Sequence, residues 1–95
     1  MSKYYDSVVS ILERMSGLFE AEILGGRSEM CADYRSILVE LLSKRYTNRE
    51  VVSLTGLTRQ SVSRISAAHE NRLKNKYSMR MAMFDAEREV SAFTD

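Results

Sequence analysis

The chain has 95 residues, 44% hydrophobic and 28% charged, with no proline, one cysteine and a formal net charge of +1. That length fits one domain, and no apolar run approaches the roughly 18 residues a membrane span requires. Cys31 stands alone, which excludes an intrachain disulfide and suits a reducing cytoplasm, and the N-terminal stretch, interrupted by Asp6, Glu13 and Arg14, lacks the apolar core of a signal peptide.

In chain order, the pattern is helical throughout. Tyr4, Val8, Ile11, Leu12, Met15, Leu18, Phe19 and Ile23 fall on one helical stripe, which "GGR" at 25–27 ends. Ser28 offers an N-cap with Glu29 in the first turn. Tyr34, Ile37, Leu38, Leu41 and Leu42 then make a second stripe, closed by the cations Lys44 and Arg45. Thr47 and Glu50 have the spacing of a capping box, so a short helix is expected over 47–54. Gly56 sits where the chain must turn sharply. Thr58 can cap a longer helix over 58–75, whose Val62 and Ile65 pack on Val51, Val52 and Leu57. Beyond Leu73, the residues Met79, Met83, Ala86, Val90 and Phe93 step by four, three, four and three. That spacing suits a coiled-coil-like seam between two copies, or a terminal helix folded onto its own domain. The expectation is an all-α fold: a small helical bundle with a central helix-turn-helix and flanking N- and C-terminal helices. Met30, Met79, Met81 and Met83 are read as adaptable core, and Cys31 as a small buried hydrophobe.

The charge is unevenly spread. Residues 44–80 carry nine basic side chains against Glu50 and Glu70, whereas residues 1–43 and 81–95 are both acidic on balance. A basic middle in a neutral chain is a local electrostatic footprint. It coincides with the second helix of the turn, whose non-core face carries Arg59, Gln60, Ser63, Arg64 and Ala67. A helix-turn-helix requires this split: one face docks on the preceding helix and the other lies in the major groove. Arg reads guanine bidentately, Gln reads adenine, and Ser or Thr reads either. Thr58, Arg59, Gln60, Ser63, Arg64 and Ala67 are therefore the expected base-contacting residues. Lys44, Arg45, Thr47, Arg49, Ser61, Arg72, Lys74 and Lys76 are the expected phosphate contacts, which set affinity and orientation.

The stretch "ELLSKRYTNREVVSLTGLTRQSVSR" (40–64) resembles the Trp-repressor-type helix-turn-helix at Glu40, Leu41, Leu42, Thr47, Arg49, Glu50 and Arg64. It is also similar to small adhesin-biosynthesis and plasmid regulators, with "LTRQSVSR" (57–64) like the plasmid-repressor version. Val52 departs from the template, which prefers Ala or Gly there. The resemblance covers about a third of the chain. It implies a bacterial, phage or plasmid transcription regulator acting as a homodimer or higher oligomer on an operator, in the cytoplasm on the nucleoid. Proteins of the Trp-repressor type interlock their N-terminal helices, which implies that residues 4–42 supply much of a dimer interface. The second helix differs from the corepressor-binding one, so no small-molecule effector, cofactor or metal is expected. Catalysis is not expected either. His69, the only histidine, is read as a surface or phosphate-side group with no Ser or Cys partner. The competing reading is a helical adaptor or anti-activator that grips an acidic protein with the same basic helix.

Overall fold

The computed structural model describes residues 2–94; Met1 and Asp95, the ends of the expected 1–95 domain, lie outside the described residues. Among these residues the chain forms six helices and no strand: α1 (Lys3–Ser16), α2 (Glu20–Gly25), α3 (Glu29–Ser43), α4 (Asn48–Thr55), α5 (Arg59–Asn75) and α6 (Tyr77–Thr94).

The N-terminal stripe is not one helix. Gly17 ends α1 in the left-handed region at φ 76°, and its N–H bonds the carbonyl of Glu13. Ser16 Oγ donates to the Leu12 carbonyl at 2.7 Å and accepts from the Leu18 N–H at 3.0 Å. The chain then runs extended through Phe19 into α2. Phe19, expected on the buried stripe, is 75% exposed as a result. The corner is tied by Tyr5, whose hydroxyl donates to Glu20 Oε2 at 2.6 Å, and by Glu13, whose carboxylate accepts the Glu20 N–H at 2.8 Å. Burial and the Glu20 carboxylate raise the Tyr5 phenol well above its ordinary value.

The α4–α5 connection repeats that corner. Thr55 Oγ1 donates to the Val51 carbonyl at 2.7 Å and accepts from the Leu57 N–H at 3.2 Å, around Gly56 at φ 76°. Both links read hydroxyl–glycine–leucine, followed by an extended residue that opens the next helix. A β-carbon on an L-residue is strained at that φ, so glycine fills it. Thr47 and Glu50 form the expected reciprocal box: the Thr47 N–H donates to Glu50 Oε1 at 2.9 Å, and Thr47 Oγ1 accepts from the Glu50 N–H at 3.2 Å. Thr58 Oγ1 caps α5 by accepting the Ser61 N–H at 3.0 Å, and Ser28 caps α3 through Cys31. Eight residues are too few for a helix that stands alone in water, so α4 depends on this capping and on Val51, which is fully buried.

Helix α3 is the central post. It is buried at 36–39 and again at Leu41 and Leu42, hence on all sides, and α1, α2, α4, α5 and α6 all pack on it. The α6 seam closes the core from outside: Met79, Met83, Ala86 and Val90 are buried within the chain, as are Val8, Val9, Ile11 and Leu12 of α1. These four seam residues are therefore interior to one domain, whereas Phe93, expected on the same seam, is 50% exposed; the N-terminal stripe likewise packs inward except at Phe19. Of the four methionines expected in the core, Met79 and Met83 are buried, whereas Met30 and Met81 are exposed. Cys31 is buried and free. The Cα radius of gyration, 12.1 Å, matches the roughly 12 Å of a close-packed chain of this length.

Candidate nucleic-acid interface

The register of α5 follows from two interleaved stripes. Val62, Ile65, His69, Arg72 and Lys76 step by three, four, three and four, and this face turns toward α3. Gln60, Arg64, Ala67, Asn71 and Lys74 step by four, three, four and three on the opposite side, and all are exposed. Ser63 and Arg59 widen the exposed face toward the helix start. The base-contacting set expected from sequence is therefore gathered on one solvent-facing surface. Thr58 lies at its edge, with its hydroxyl engaged in the cap. The first carboxylate on α5 is Glu70, so the opening turns are purely neutral or cationic. Asn71 lies on the same face and was not singled out by sequence, although its spacing from Ala67 would have placed it there.

The phosphate set divides. Arg49 lies beside Arg59 across a crevice floored by Val52. Thr47 closes the capping box, Ser61 lies near the α5 start, and Lys74 is exposed. Arg45 stacks on the Tyr4 ring, 4.3 Å from its centroid. Arg72 and Lys76 point inward instead. Asp33 of α3 accepts from Arg72 Nη1 at 2.9 Å and from Lys76 Nζ at 3.1 Å, and Glu29 also pairs with Lys76. Lys44 pairs with Glu87 of α6. Arg80 donates to the Leu73 and Lys74 carbonyls at 2.7 and 3.0 Å and so caps the end of α5. Apart from Lys3 on α1, the cations among the described residues with neither an ion pair nor a hydrogen bond nor a ring partner are Arg27, Arg49, Arg59 and Lys74; Arg64 bonds only Ser61 Oγ, at 3.4 Å. Arg27, in the α2–α3 link, lies across a cleft from Arg64. Sequence reasoning missed it because it is remote in the chain.

His69 is not on the surface. It is 3% exposed, with Nδ1 2.7 Å from Ser36 Oγ of α3 and Nε2 buried without a hydrogen-bond partner. Its place on the Val62–Lys76 stripe is the reason. No group of His, Cys, Asp and Glu among the described residues is arranged to hold a metal ion, and no described helix is long and apolar enough to cross a membrane. No known protein family, curated protein or solved structure matches this chain.

Proposed function

We propose that this protein is a sequence-specific, double-stranded-DNA-binding transcription regulator that lays the exposed face of α5, the helix beginning at Arg59, in the major groove of its operator. One observation carries the reading. Arg49 and Arg59, which have no partner, and Arg64, which bonds only Ser61, surround an exposed stripe of Gln60, Ser63 and Ala67, while the cations on the inward side are neutralised by α3 and α6. Gln60 and Asn71 suit adenine, Arg59 and Arg64 suit guanine or phosphate, and the short Ala67 lets the backbone come close. Arg49 and Lys74 serve the phosphates. From Gln60 to Asn71 the stripe rises about 16 Å, enough for a handful of base pairs. Specific binding by so short a reader calls for two modules on half-sites about one helical turn apart, hence a homodimer or higher oligomer working on the nucleoid. Because most of the two apolar seams is spent inside one chain, self-association would use residues left exposed, among them Tyr77, Met81, Phe84 and Phe93 on α6.

The test is selection of bound sequences from a random duplex library at near-physiological salt. A recovered motif, palindromic or regularly repeated, supports the reading, and Gln60→Ala should then relax preference at one position by about 1–3 kcal/mol. A folded protein that binds no duplex would sink it and transfer the basic face to an acidic protein partner.

A further inference from the structure

An open cleft of about 480 Å³ separates the α2–α3 link from the flank of α5. Gly25, Gly26, Arg27 and Arg35 form one wall, and Ser61 and Arg64 stand on the other. Three guanidinium groups line it and no carboxylate does. Arginine stays charged in proteins, so the lining holds three positive charges with no counter-charge of its own. The wall is built rather than floppy. Arg35 Nε donates to the Ile23 carbonyl at 2.9 Å, and its guanidinium also bonds the Gly26 carbonyl. Gly26 comes this close because it lacks a side chain: a β-carbon there would lie 2.6 Å from the Glu22 carbonyl and would collide with Cys31 Sγ. On the facing wall Ser61 Oγ accepts from Arg64, which leaves the serine O–H free to donate. Rigid guanidinium forks plus a hydroxyl donor form the donor set that a phosphate group accepts from best.

The position of the cleft adds to its chemistry. Arg59 and Arg64 are five residues apart, about 140° around the helix, so they border the exposed stripe on its two sides. Arg49 joins Arg59 on one border, and Arg27 and Arg35 join Arg64 on the other. A helix about 10–12 Å across fills a major groove about 12 Å wide and has a phosphate row on each flank. We propose that the Arg27–Arg35–Arg64 cleft is a phosphate-binding site contributed from outside the helix-turn-helix. Its duplex-backbone form rests on the DNA-binding reading above, while its phosphate chemistry does not. The same donor set would hold the phosphate of a soluble compound.

Two arms separate these sources. In the first, affinity for the selected duplex is measured against salt for the wild type, Arg27→Ala and, as a distant cationic control, Lys3→Ala. A backbone phosphate in the cleft predicts that Arg27→Ala weakens all duplexes by a common factor and lowers the salt slope by about 0.9 per site, with Lys3→Ala silent. In the second, inorganic pyrophosphate is titrated into the free protein while the amide resonances of Gly25 and Gly26 are followed. Saturable shifts that vanish in Arg27→Ala support the site. If they occur while the duplex slope is unchanged, a soluble phosphate compound is the ligand. An unchanged slope together with no Arg27-dependent shift overturns the proposal even if the protein binds DNA. A protein that binds no duplex fails the helix-turn-helix reading, and the pyrophosphate arm alone then decides the cleft.

Discussion

Arg72 and Lys76 are positive residues in a basic helix, and the structure gives them a different role from Arg49. They share the carboxylate of Asp33, whose side chain is only 15% exposed, at 2.9 and 3.1 Å. Fully exposed ion pairs contribute about 0–1 kcal/mol, whereas stripping the partner from a buried charge costs about 3–5 kcal/mol. With Arg72 33% and Lys76 27% exposed, this clasp lies between those limits. Arg72→Ala is therefore expected to cost about 1–2 kcal/mol, which for a domain of this size lowers Tm by roughly 4–8 °C per kcal/mol. Asp33→Ala should cost at least as much, since it leaves both cations with only the exposed carboxylate of Glu29. The assay pairs urea unfolding followed by circular dichroism with the salt dependence of duplex binding. Arg72→Ala should lower the unfolding midpoint and leave the salt slope alone. Arg49→Ala should do the reverse: a midpoint within about 0.5 kcal/mol of the wild type and a slope reduced by about 0.9 per site. If Arg72→Ala were as stable as the wild type and lost about one unit of slope, the clasp would not exist in solution and Arg72 would return to the phosphate set.

Three further outcomes follow from the same geometry. Gly56→Ala has open space for its β-carbon but inherits φ 76°, so it should cost about 1–2 kcal/mol from backbone strain alone. Gly56→Asn should recover part of that loss, because Asn tolerates the left-handed region; equal losses for the two in urea unfolding would refute the conformational account. Ser36→Ala strands the buried Nδ1 of His69 and should cost about 1–3 kcal/mol, whereas Ser36→Ala combined with His69→Leu should cost less than the sum of the two single changes. Additive losses in that double-mutant cycle would mean that the 2.7 Å contact contributes nothing. The Tyr5 phenol is raised above its ordinary value of 10.0 in the folded state, so its contribution is intact below about pH 10 and is lost as the unfolded chain ionises first above it. Tyr5→Phe should be less stable than the wild type near neutrality and should show a shallower alkaline decline in unfolding free energy; identical pH profiles would exclude the linkage.

The caps were readable from sequence because their chemistry is local. Ser28, Thr47 with Glu50, Gly56 and Thr58 all do what their side chains and spacing dictate. The missed break at Gly17 was equally local: Ser16-Gly17-Leu18 has the same hydroxyl–glycine–leucine order as Thr55-Gly56-Leu57 and makes the same hydrogen bonds. An apolar stripe that ran on to Ile23 concealed it, because a reversal of the chain can bring such residues back to the same core. His69, Arg72 and Lys76 show a related limit. Their spacing from Val62 and Ile65 already put them on the inward face, but polarity suggested water. What kept them inward lies 33 to 43 residues away in Ser36 and Asp33, and no pattern within α5 could announce it.

The same long-range pairing explains how a chain of net charge +1 can present a cationic face. The acidic flanks are not spread evenly around the basic segment. Glu29 and Asp33 of α3 and Glu87 of α6 meet Lys76, Arg72 and Lys44 on its inner side, and α5 carbonyls absorb Arg80. Apart from Lys3, the cations that the described residues leave without an ion pair, a carbonyl or a ring partner are on the outer side, at Arg27, Arg49, Arg59, Arg64 and Lys74. At physiological salt charges are screened beyond about 8 Å, so a partner close to that side responds to these five cations rather than to the sum over the chain. Net charge is therefore the wrong predictor of binding for this protein. The salt slope should track the count of unpaired cations, and exchanging Arg72 for alanine while keeping Arg49 is the substitution that separates the two quantities.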